Sequence, residues 1–340
     1  MTSRGNGGRD ALVALGLVAL GTFVWASVIE RNAFTLRRVT APVLEPGSAP
    51  LRILHISDLH LAPWQKEKQA WIRALAELQP DLIINTGDNL GHADALDALE
   101  YTFEPFSGIP GVFVNGSNDY FGPQFKNPLK YFMAPSGGVQ PESRLDTGRL
   151  QSFFTDDLGW ADLNNAAARI MLGSTRLDFM GVDDPHRNFD SLATMTRALD
   201  DIRSGDFLGL ELDHDLGLGL KLDAQPGADP RDPATLLPAV TIGVAHAPYQ
   251  RILNAFVNNG AGMIFAGHTH GGQVCLPGFG ALVTNCDIPR TQVKGLSTWR
   301  NGRKSAMLNI SAGVGTSIYA PVRFACAPEV SLVTLTARVS

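Results

Sequence analysis

The sequence has few cysteines and few charged residues, and both shortages exclude classes of protein. Its three cysteines, Cys275, Cys286 and Cys326, lie far apart in 340 residues and form no C-x-x-C pair. This spacing excludes a cysteine-ligated zinc site and a dense disulfide framework, and leaves open one disulfide with a spare thiol. Charged residues make up only 18% of the chain, and the net charge of −5 offers no basic surface. We therefore expect no nucleic-acid partner.

An uncharged apolar run lies near the N-terminus, over residues 11–29. A helix needs roughly 20 such residues to cross a bilayer, whereas the core of a secretory signal has about 7–15. The run contains no Ala-x-Ala cleavage motif, and Trp25 with arginines on both sides is typical of a membrane interface. We predict a retained, single-pass anchor over 1–30 in the cell membrane. The arginines on its two sides nearly balance, so the orientation stays open.

The rest of the chain has the pattern of one large α/β domain. A proline-rich stretch predicts a linker over 31–50, followed by the domain over 51–340, in which 206–238 is expected to be an inserted loop. Strand-like apolar runs alternate with helical periodicity, which predicts a parallel sheet. The predicted strands are 51–56, 81–86, 111–114, 168–172, 176–181, 239–245, 261–266, 306–311 and 330–339, and the predicted helices are 66–78, 93–104 and 249–257. Gly173-Ser174 predicts a hairpin.

Five polar clusters each follow a predicted strand, where ligands of open α/β sheets collect. The candidate metal ligands in these clusters are Asp58, His60, Asp88, Asn118, His246, His268 and His270. Carboxylate, amide and imidazole donors without thiolate suit Mn, Fe or Zn. A pair of such ions, about 3.5–4 Å apart, can clamp a phosphoryl group. The clusters therefore predict a two-metal hydrolytic site.

The clusters resemble the motifs of the calcineurin-like metallophosphoesterase superfamily. The tail, with Gly313-Val-Gly-Thr-Ser, Pro321-Val-Arg-Phe and Pro328-Glu329, resembles its bacterial, membrane-associated YkuE-like branch. The resemblance implies a four-layer α/β/β/α sandwich and two divalent metal ions. It also implies hydrolysis of a phosphodiester, phosphomonoester or pyrophosphate bond by metal-activated hydroxide. Because the anchor keeps the site near a bilayer, the substrate could be linked to a lipid.

The resemblance also implies a role for each ligand. Asp58, His60 and His270 would hold one metal ion. His246, His268 and the asparagine of the third motif would hold the other, and Asp88 would bridge the two.

The third cluster, Gly116-Ser117-Asn118-Asp119, departs from the family motif Gly-Asn-His-Asp/Glu. Aligned without a gap, Ser117 replaces the asparagine ligand; shifted by one residue, Asn118 is the ligand. We prefer Asn118, because an amide oxygen is a better ligand for a hard cation than a neutral hydroxyl. Both alignments lack the histidine that protonates the leaving group or binds phosphate. His186, after another predicted strand, is a candidate replacement acid.

The missing histidine also motivates a second hypothesis, a metal-binding but catalytically silent envelope protein that recruits partners. Two other histidines are expected to lie outside the metal site. His55, inside the first predicted strand, is expected to pack in the core, and His214 to be solvated.

Overall fold

The computed structural model describes residues 7–122, 143–204, 240–316 and 321–338. The expected inserted loop, 206–238, lies outside the described residues, and so does His214. The helices are α1 (Gly7–Val24), α2 (Lys66–Ala74), α3 (Leu96–Phe103), α4 (Ser117–Tyr120), α5 (Thr147–Ser152), α6 (Leu192–Ser204) and α7 (Gln250–Asn258).

The first sheet has six strands in the order β1-β14-β2-β3-β4-β5. They are β1 (Thr35–Leu44), β2 (Leu51–Ile56), β3 (Leu82–Asn85), β4 (Gly111–Phe113), β5 (Ala161–Asp162) and β14 (Glu329–Ala337). Strands β2 to β5 run parallel, while β14 is antiparallel to β2 and parallel to β1. The carboxyl ends of β2, β3 and β4 therefore lie at one edge of the sheet.

The second sheet has the order β12-β13-β9-β8-β7-β6. Its strands are β6 (Ala167–Leu172), β7 (Thr175–Gly181), β8 (Val240–Ala245), β9 (Met263–Ala266), β12 (Gly295–Asn301) and β13 (Lys304–Ile310), and a small hairpin pairs β10 (Cys275–Leu276) with β11 (Gly280–Ala281). Strands β7, β8, β9 and β13 are parallel, and the predicted hairpin at Gly173-Ser174 joins β6 to β7. All three cysteines are free thiols.

Three apolar cores alternate with the two sheets. Along β2, Leu54 packs with α2 and α3, whereas its neighbour Ile53 lies in the core between the sheets. Along β9, Phe265 shares that central core, whereas Ile264 packs with α6 and α7. Because successive strand residues point to opposite faces, helices cover the outer face of each sheet and the inner faces pack together. The two mixed sheets with their helices agree with the α/β class expected from the family resemblance.

The prediction of a linker over 31–50 is wrong for its central part. Residues Thr35–Leu44 form β1, which pairs along its length with β14, from Thr35 beside Glu329 to Leu44 beside Ala337. Much of β1 is exposed or only partly buried, so it lacks a continuous apolar run. Its proline, Pro42, is tolerated because an edge strand needs hydrogen bonds on one side only.

The N-terminal helix extends beyond α1 through π- and 3-10-helical turns to Asn32. Its apolar stretch, Gly8–Asn32, is long enough to cross a membrane, and only 6% of its most apolar window is buried against the protein. Ala26 and Glu30, near its end, are exceptions that pack against the domain.

Candidate metal centre

The backbone at the candidate site is strained at several ligand positions. The candidate ligands with positive φ are Asp58 (49°), His60 (39°), Asp88 (55°), His268 (69°) and His270 (49°). Left-handed backbone is uncommon for residues other than glycine and clusters at functional sites. These residues lie just beyond the ends of β2, β3 and β9, where the side chains that follow neighbouring strands come together.

The first group of candidate ligands comprises Asp58, His60 and His270, whose ligand atoms lie within 4.8 Å of one another. The Nε2 atoms of the two histidines are 3.2 Å apart, and Nε2 of His270 is 3.6 Å from Oδ1 of Asp58. Burial lowers the pKa of His60 to about 4, so its ring is neutral at pH 7. Facing nitrogen atoms beside a carboxylate form a donor set that suits a cation.

The second group comprises Asp58, Asp88 and His246. Oδ2 of Asp88 is 3.5 Å from Nε2 of both His60 and His246, so this carboxylate lies between the two groups. Nδ1 of His246 is 2.7 Å from the carbonyl oxygen of Thr86, which leaves Nε2 for the site. Burial opposes a charge on His246, but Asp88 and Asp58 outweigh it and raise its pKa well above the usual value. A metal ion at Nε2 would have to displace that proton.

His268 lies beside the second group. Its ring centre is 5.1 Å from that of His246, and its backbone N–H donates to the Asp58 carboxylate at 2.9 Å. Its Nε2 is 3.1 Å from the carbonyl oxygen of Asn285, so Nδ1 is the ring nitrogen left for a metal ion. Sequence reasoning missed Asn285, since no strand or motif precedes it.

In the third cluster, Ser117 and Asn118 were the two alternatives for the metal ligand, and their side chains have different partners. Asn118 donates to Asp88 from its side-chain amide and from its backbone N–H, both at 2.8 Å. Ser117 instead donates to Asp184 at 2.5 Å. The structure therefore brings Asn118, and not Ser117, to the carboxylate between the two groups.

Asp119 holds the strand ends together in a way that sequence reasoning missed. Its carboxylate accepts the backbone N–H groups of Asp88 and Asn89 at 2.8 Å and of Gly116 at 2.9 Å. These bonds tie the turn after β3 to the turn after β4. The acid of the third motif thus fixes the left-handed backbone that carries Asp88.

His55 is buried in the core, as predicted, and it also ends a chain of hydrogen bonds to the site. Its Nε2 is 3.0 Å from the hydroxyl of Thr86, which donates to Ser57, which donates to Asp58. Burial lowers the pKa of His55 to about 3, so the ring is neutral. This chain fixes the orientation of the Asp58 carboxylate.

His186 lies against the second group of candidate ligands. Its ring centre is 4.6 Å from that of His268, and its Nδ1 is 2.9 Å from the hydroxyl oxygen of Tyr249. Its backbone N–H donates to Asp184, the partner of Ser117. The loop after β7 therefore reaches the site.

Two glycines allow the strand ends to approach one another. A Cβ at Gly267, after β9, would lie 1.9 Å from the hydroxyl of Ser57 and 2.5 Å from a carboxylate oxygen of Asp58. A Cβ at Gly116, after β4, would lie 2.3 Å from Oδ1 of Asp88. Side chains at these positions would displace the carboxylates, which explains why glycines precede the ligand clusters.

Comparison with known proteins gives the family. Residues 51–272 match the calcineurin-like phosphoesterase family. The chain belongs to this family. It is 23% identical to the uncharacterized metallophosphoesterase YkuE of Bacillus subtilis over 338 residues, which cover 96% of the chain and 93% of YkuE.

Two further relatives share less of their length or sequence with this calcineurin-like phosphoesterase. A Bos taurus transmembrane protein with a metallophosphoesterase domain is 26% identical over 275 residues, which cover 78% of this chain and 50% of that protein. The chain thus spans half the length of the bovine relative. The structure of a phosphopantetheinyl hydrolase from Mycobacterium tuberculosis matches 76% of this chain and 87% of its own, at 13% identity and a TM-score of 0.37.

As a calcineurin-like phosphoesterase, the chain is a metal-dependent phosphohydrolase with a site for two divalent metal ions. The residues present fit such ions. Nε2 of His246 faces the Asp88 carboxylate and has no hydrogen-bond partner in the described parts of the chain, and Nε2 of His60 faces Nε2 of His270 across 3.2 Å. Unpaired buried ring nitrogens beside carboxylates are costly unless a cation occupies the space between them.

Proposed function

We propose that this chain is a membrane-anchored phosphohydrolase that cleaves a phosphodiester, phosphomonoester or pyrophosphate bond. In this proposal Asp58, His60 and His270 hold one metal ion. Asn118, His246 and His268 hold the other, and Asp88 bridges them. The observation that carries the proposal is the pair of buried Asp/His groups, which share Asp58 and have Asp88 between them.

The surrounding residues keep these donors ready for binding. The carbonyl of Thr86 fixes the ring of His246, and the carbonyl of Asn285 fixes that of His268; such partners orient metal-ligating histidines. Two divalent ions, when bound, make water a nucleophile at neutral pH and offset the charge that develops on a phosphoryl group. The chain's own contribution is twofold. Glycines leave room at the strand ends, and hydrogen bonds hold the donor side chains in place.

His186 is our candidate for the role of the missing motif histidine. From its position beside His268 it would donate a proton to the leaving group or a hydrogen bond to phosphate. Tyr249 and Asp184 orient it through its ring and its backbone. Because Ser117 is bonded to Asp184, the altered third motif and the His186 loop are parts of one arrangement.

A lipid-linked substrate fits the proposed anchor, since the N-terminal helix keeps the domain at a bilayer surface. Arginines after the helix would attract anionic headgroups. Arg37 is already paired with Glu329 at 2.6 Å and Arg31 donates to the carbonyl of Pro321 at 3.2 Å, so Arg38 is the arginine we assign to this role. Comparing turnover of a pyrophosphate carried on a long-chain lipid with that of inorganic pyrophosphate tests this finer proposal, and equal turnover of the two would contradict it.

Exchange of Asp88 for Asn tests the metal site most directly. The full chain in detergent micelles, with Mn²⁺, is assayed on bis-p-nitrophenyl phosphate and p-nitrophenyl phosphate. We expect kcat/KM to fall at least about a thousandfold, since the bridged ions supply several kcal/mol of transition-state stabilisation. Asp94→Asn, at an exposed carboxylate, is the matched control. Wild-type protein that binds two Mn²⁺ ions yet hydrolyses neither substrate would favour the scaffold hypothesis.

Exchange of His186 for Ala tests the replacement acid. A general acid contributes about 10²–10⁴-fold when the leaving group is poor. We therefore expect kcat to fall about a hundredfold or more on an alkyl phosphate ester and much less on a p-nitrophenyl ester. The half-buried histidine His92, exchanged for Ala, is the control. An unchanged kcat on the alkyl ester would contradict the assignment.

A further inference from the structure

Arg323 is a fully buried arginine whose hydrogen bonds all go to backbone carbonyl groups. Its guanidinium donates to the carbonyls of Ala312 at 2.7 Å, Gly313 at 2.9 Å and Gly315 at 3.1 Å. It also reaches the carbonyls of Cys326 at 3.2 Å and His270 at 3.4 Å. One side chain thus joins the turn that carries a candidate ligand to the loop after β13.

The loop after β13, residues 312–315, packs directly on the first group of candidate ligands. The backbone N–H of Gly315 donates to the carbonyl of Asp58 at 2.6 Å, and that of Val314 donates to Ser57 at 3.2 Å. A Cβ at Gly313 would lie 2.5 Å from Cβ of Asp58, and one at Gly315 would lie 2.8 Å from Cβ of His60. Arg323 therefore contacts His270 and holds the loop that packs on Asp58 and His60, whereas none of these bonds goes to Asp88 or His246, the two residues that belong to the second group alone.

The end of the N-terminal helix holds the segment that carries Arg323. The backbone N–H of Arg323 donates to the carbonyl of Ala26 at 2.9 Å. The carboxylate of Glu30 accepts the backbone N–H of Cys326 at 2.6 Å and the indole N–H of Trp25 at 2.9 Å. The carbonyl of Pro321 accepts from Arg31 at 3.2 Å. Arg323 and Cys326 therefore both lie between the helix end and the first ligand group, and each contacts the carbonyl of His270.

We infer that Arg323 is a positioning residue for one of the two metal ions, the one held by Asp58, His60 and His270, and that the end of the N-terminal helix keeps Arg323 in place. The inference rests on the function proposed above. It adds that the N-terminal helix is a structural part of one metal site. Loss of the helix should therefore weaken the binding of one ion more than the binding of the other.

Mn²⁺ titration of the full chain in detergent micelles tests the inference. Calorimetry gives the affinities of the two sites, and electron paramagnetic resonance distinguishes a coupled Mn²⁺ pair from an isolated ion. For Arg323→Met we expect one site to lose about 10–100-fold in affinity and the coupled-pair signal to be replaced by that of an isolated ion. Arg323→Lys keeps the charge but has fewer hydrogen-bond donors, so its affinity at that site should lie between those of the wild type and Arg323→Met. Glu30→Leu, which removes one acceptor from Cys326, should cost roughly three- to tenfold at the same site.

Arg52→Met is the matched control, since Arg52 also donates to backbone carbonyls, those of Leu78 and Gln79, but is exposed. Binding of both ions by Arg323→Met as by wild type, or an equal loss at both sites, would overturn the inference. Should Arg323→Met fail to fold, Arg323→Lys and Glu30→Leu decide by the same criterion. Wild-type protein that binds no Mn²⁺ would contradict the proposed function itself, so the two failures are distinguishable.

Discussion

The two sheets contribute different chemistry to one site. The first sheet carries the candidate oxygen donors, Asp58, Asp88 and Asn118, after the ends of β2, β3 and β4, together with His60. The second sheet supplies imidazoles alone, His246 after β8 and His268 and His270 after β9. A cation held between them would contact ligands from both sheets. The site is therefore a cross-link between two layers, and its integrity depends on how closely their edges approach.

The largest effect is expected from removing the strand that completes the first sheet. A chain starting at residue 51 lacks β1, so β14 becomes an open edge and Val43 and Leu44 leave the central core. Compared with a chain starting at residue 33, which keeps β1, we expect aggregation or a melting temperature lower by about 10 °C or more. Differential scanning calorimetry of the two chains makes the comparison. Equal melting temperatures would mean that β1 adds nothing to the first sheet.

A smaller effect is expected where the sheet edges meet. Gly267→Ala places a methyl group between the turn after β9 and the Ser57–Asp58 turn after β2. Overpacking of this kind costs about 1–3 kcal/mol, and here it should also abolish the stabilisation by Mn²⁺, because it displaces the Asp58 carboxylate. Thermal melts with and without Mn²⁺ measure both effects. Gly262→Ala, where the nearest atom to the new Cβ is 3.7 Å away, should leave both unchanged; a Gly267 variant that behaves likewise would refute the close-approach argument.

The last effect is on the pH dependence of stability and concerns a buried charge on the outer side of the first sheet. Lys68 in α2 donates to the carbonyl of Leu59, and burial lowers its pKa to about 7. The unfolded chain holds this proton up to about pH 10.4, so between these values the folded protein binds fewer protons and stability rises with pH. Relative to Lys68→Met, the wild-type free energy of unfolding should be constant below about pH 7 and rise from there to pH 10.

Melting temperatures between pH 6 and pH 10 measure this difference. Lys66→Met, at an exposed position of the same helix, should show no such trend. A wild-type protein that loses stability relative to Lys68→Met over this range would show that the charge is not penalised by burial.

The sequence was informative where burial is continuous and uninformative where the chain relies on long-range contacts. β2 begins and ends as predicted, at Leu51 and Ile56, because all but one of its residues are buried. β1 was missed because its exposed residues and Pro42 have the pattern of a linker, and only pairing with β14 makes it a strand.

The same distinction holds within the site. The polar clusters after the strands predicted one converging site, the family resemblance implied that Asp58, His60 and His270 form one group, and the structure brings these three together. The supporting roles of Asp119, Asn285 and Arg323 depend on contacts with groups that are far away in sequence. A local residue pattern does not predict such contacts. The preference for Asn118 over Ser117 as a ligand was a chemical argument and stays a prediction; the structure adds that Asn118 lies beside Asp88, whereas Ser117 is bonded to Asp184.

The pairing of β1 with β14 has a consequence for biogenesis. These partners are separated by nearly the whole domain, so the sheet cannot be completed until its last strand has been synthesised. A chain that enters the membrane through its N-terminal helix would by then have that helix in place. In such a chain β1 would lie without its partner during this interval, exposed to mispairing and to proteases. A slow codon stretch or a chaperone acting before β14 emerges would therefore influence the yield of this protein more than one acting later.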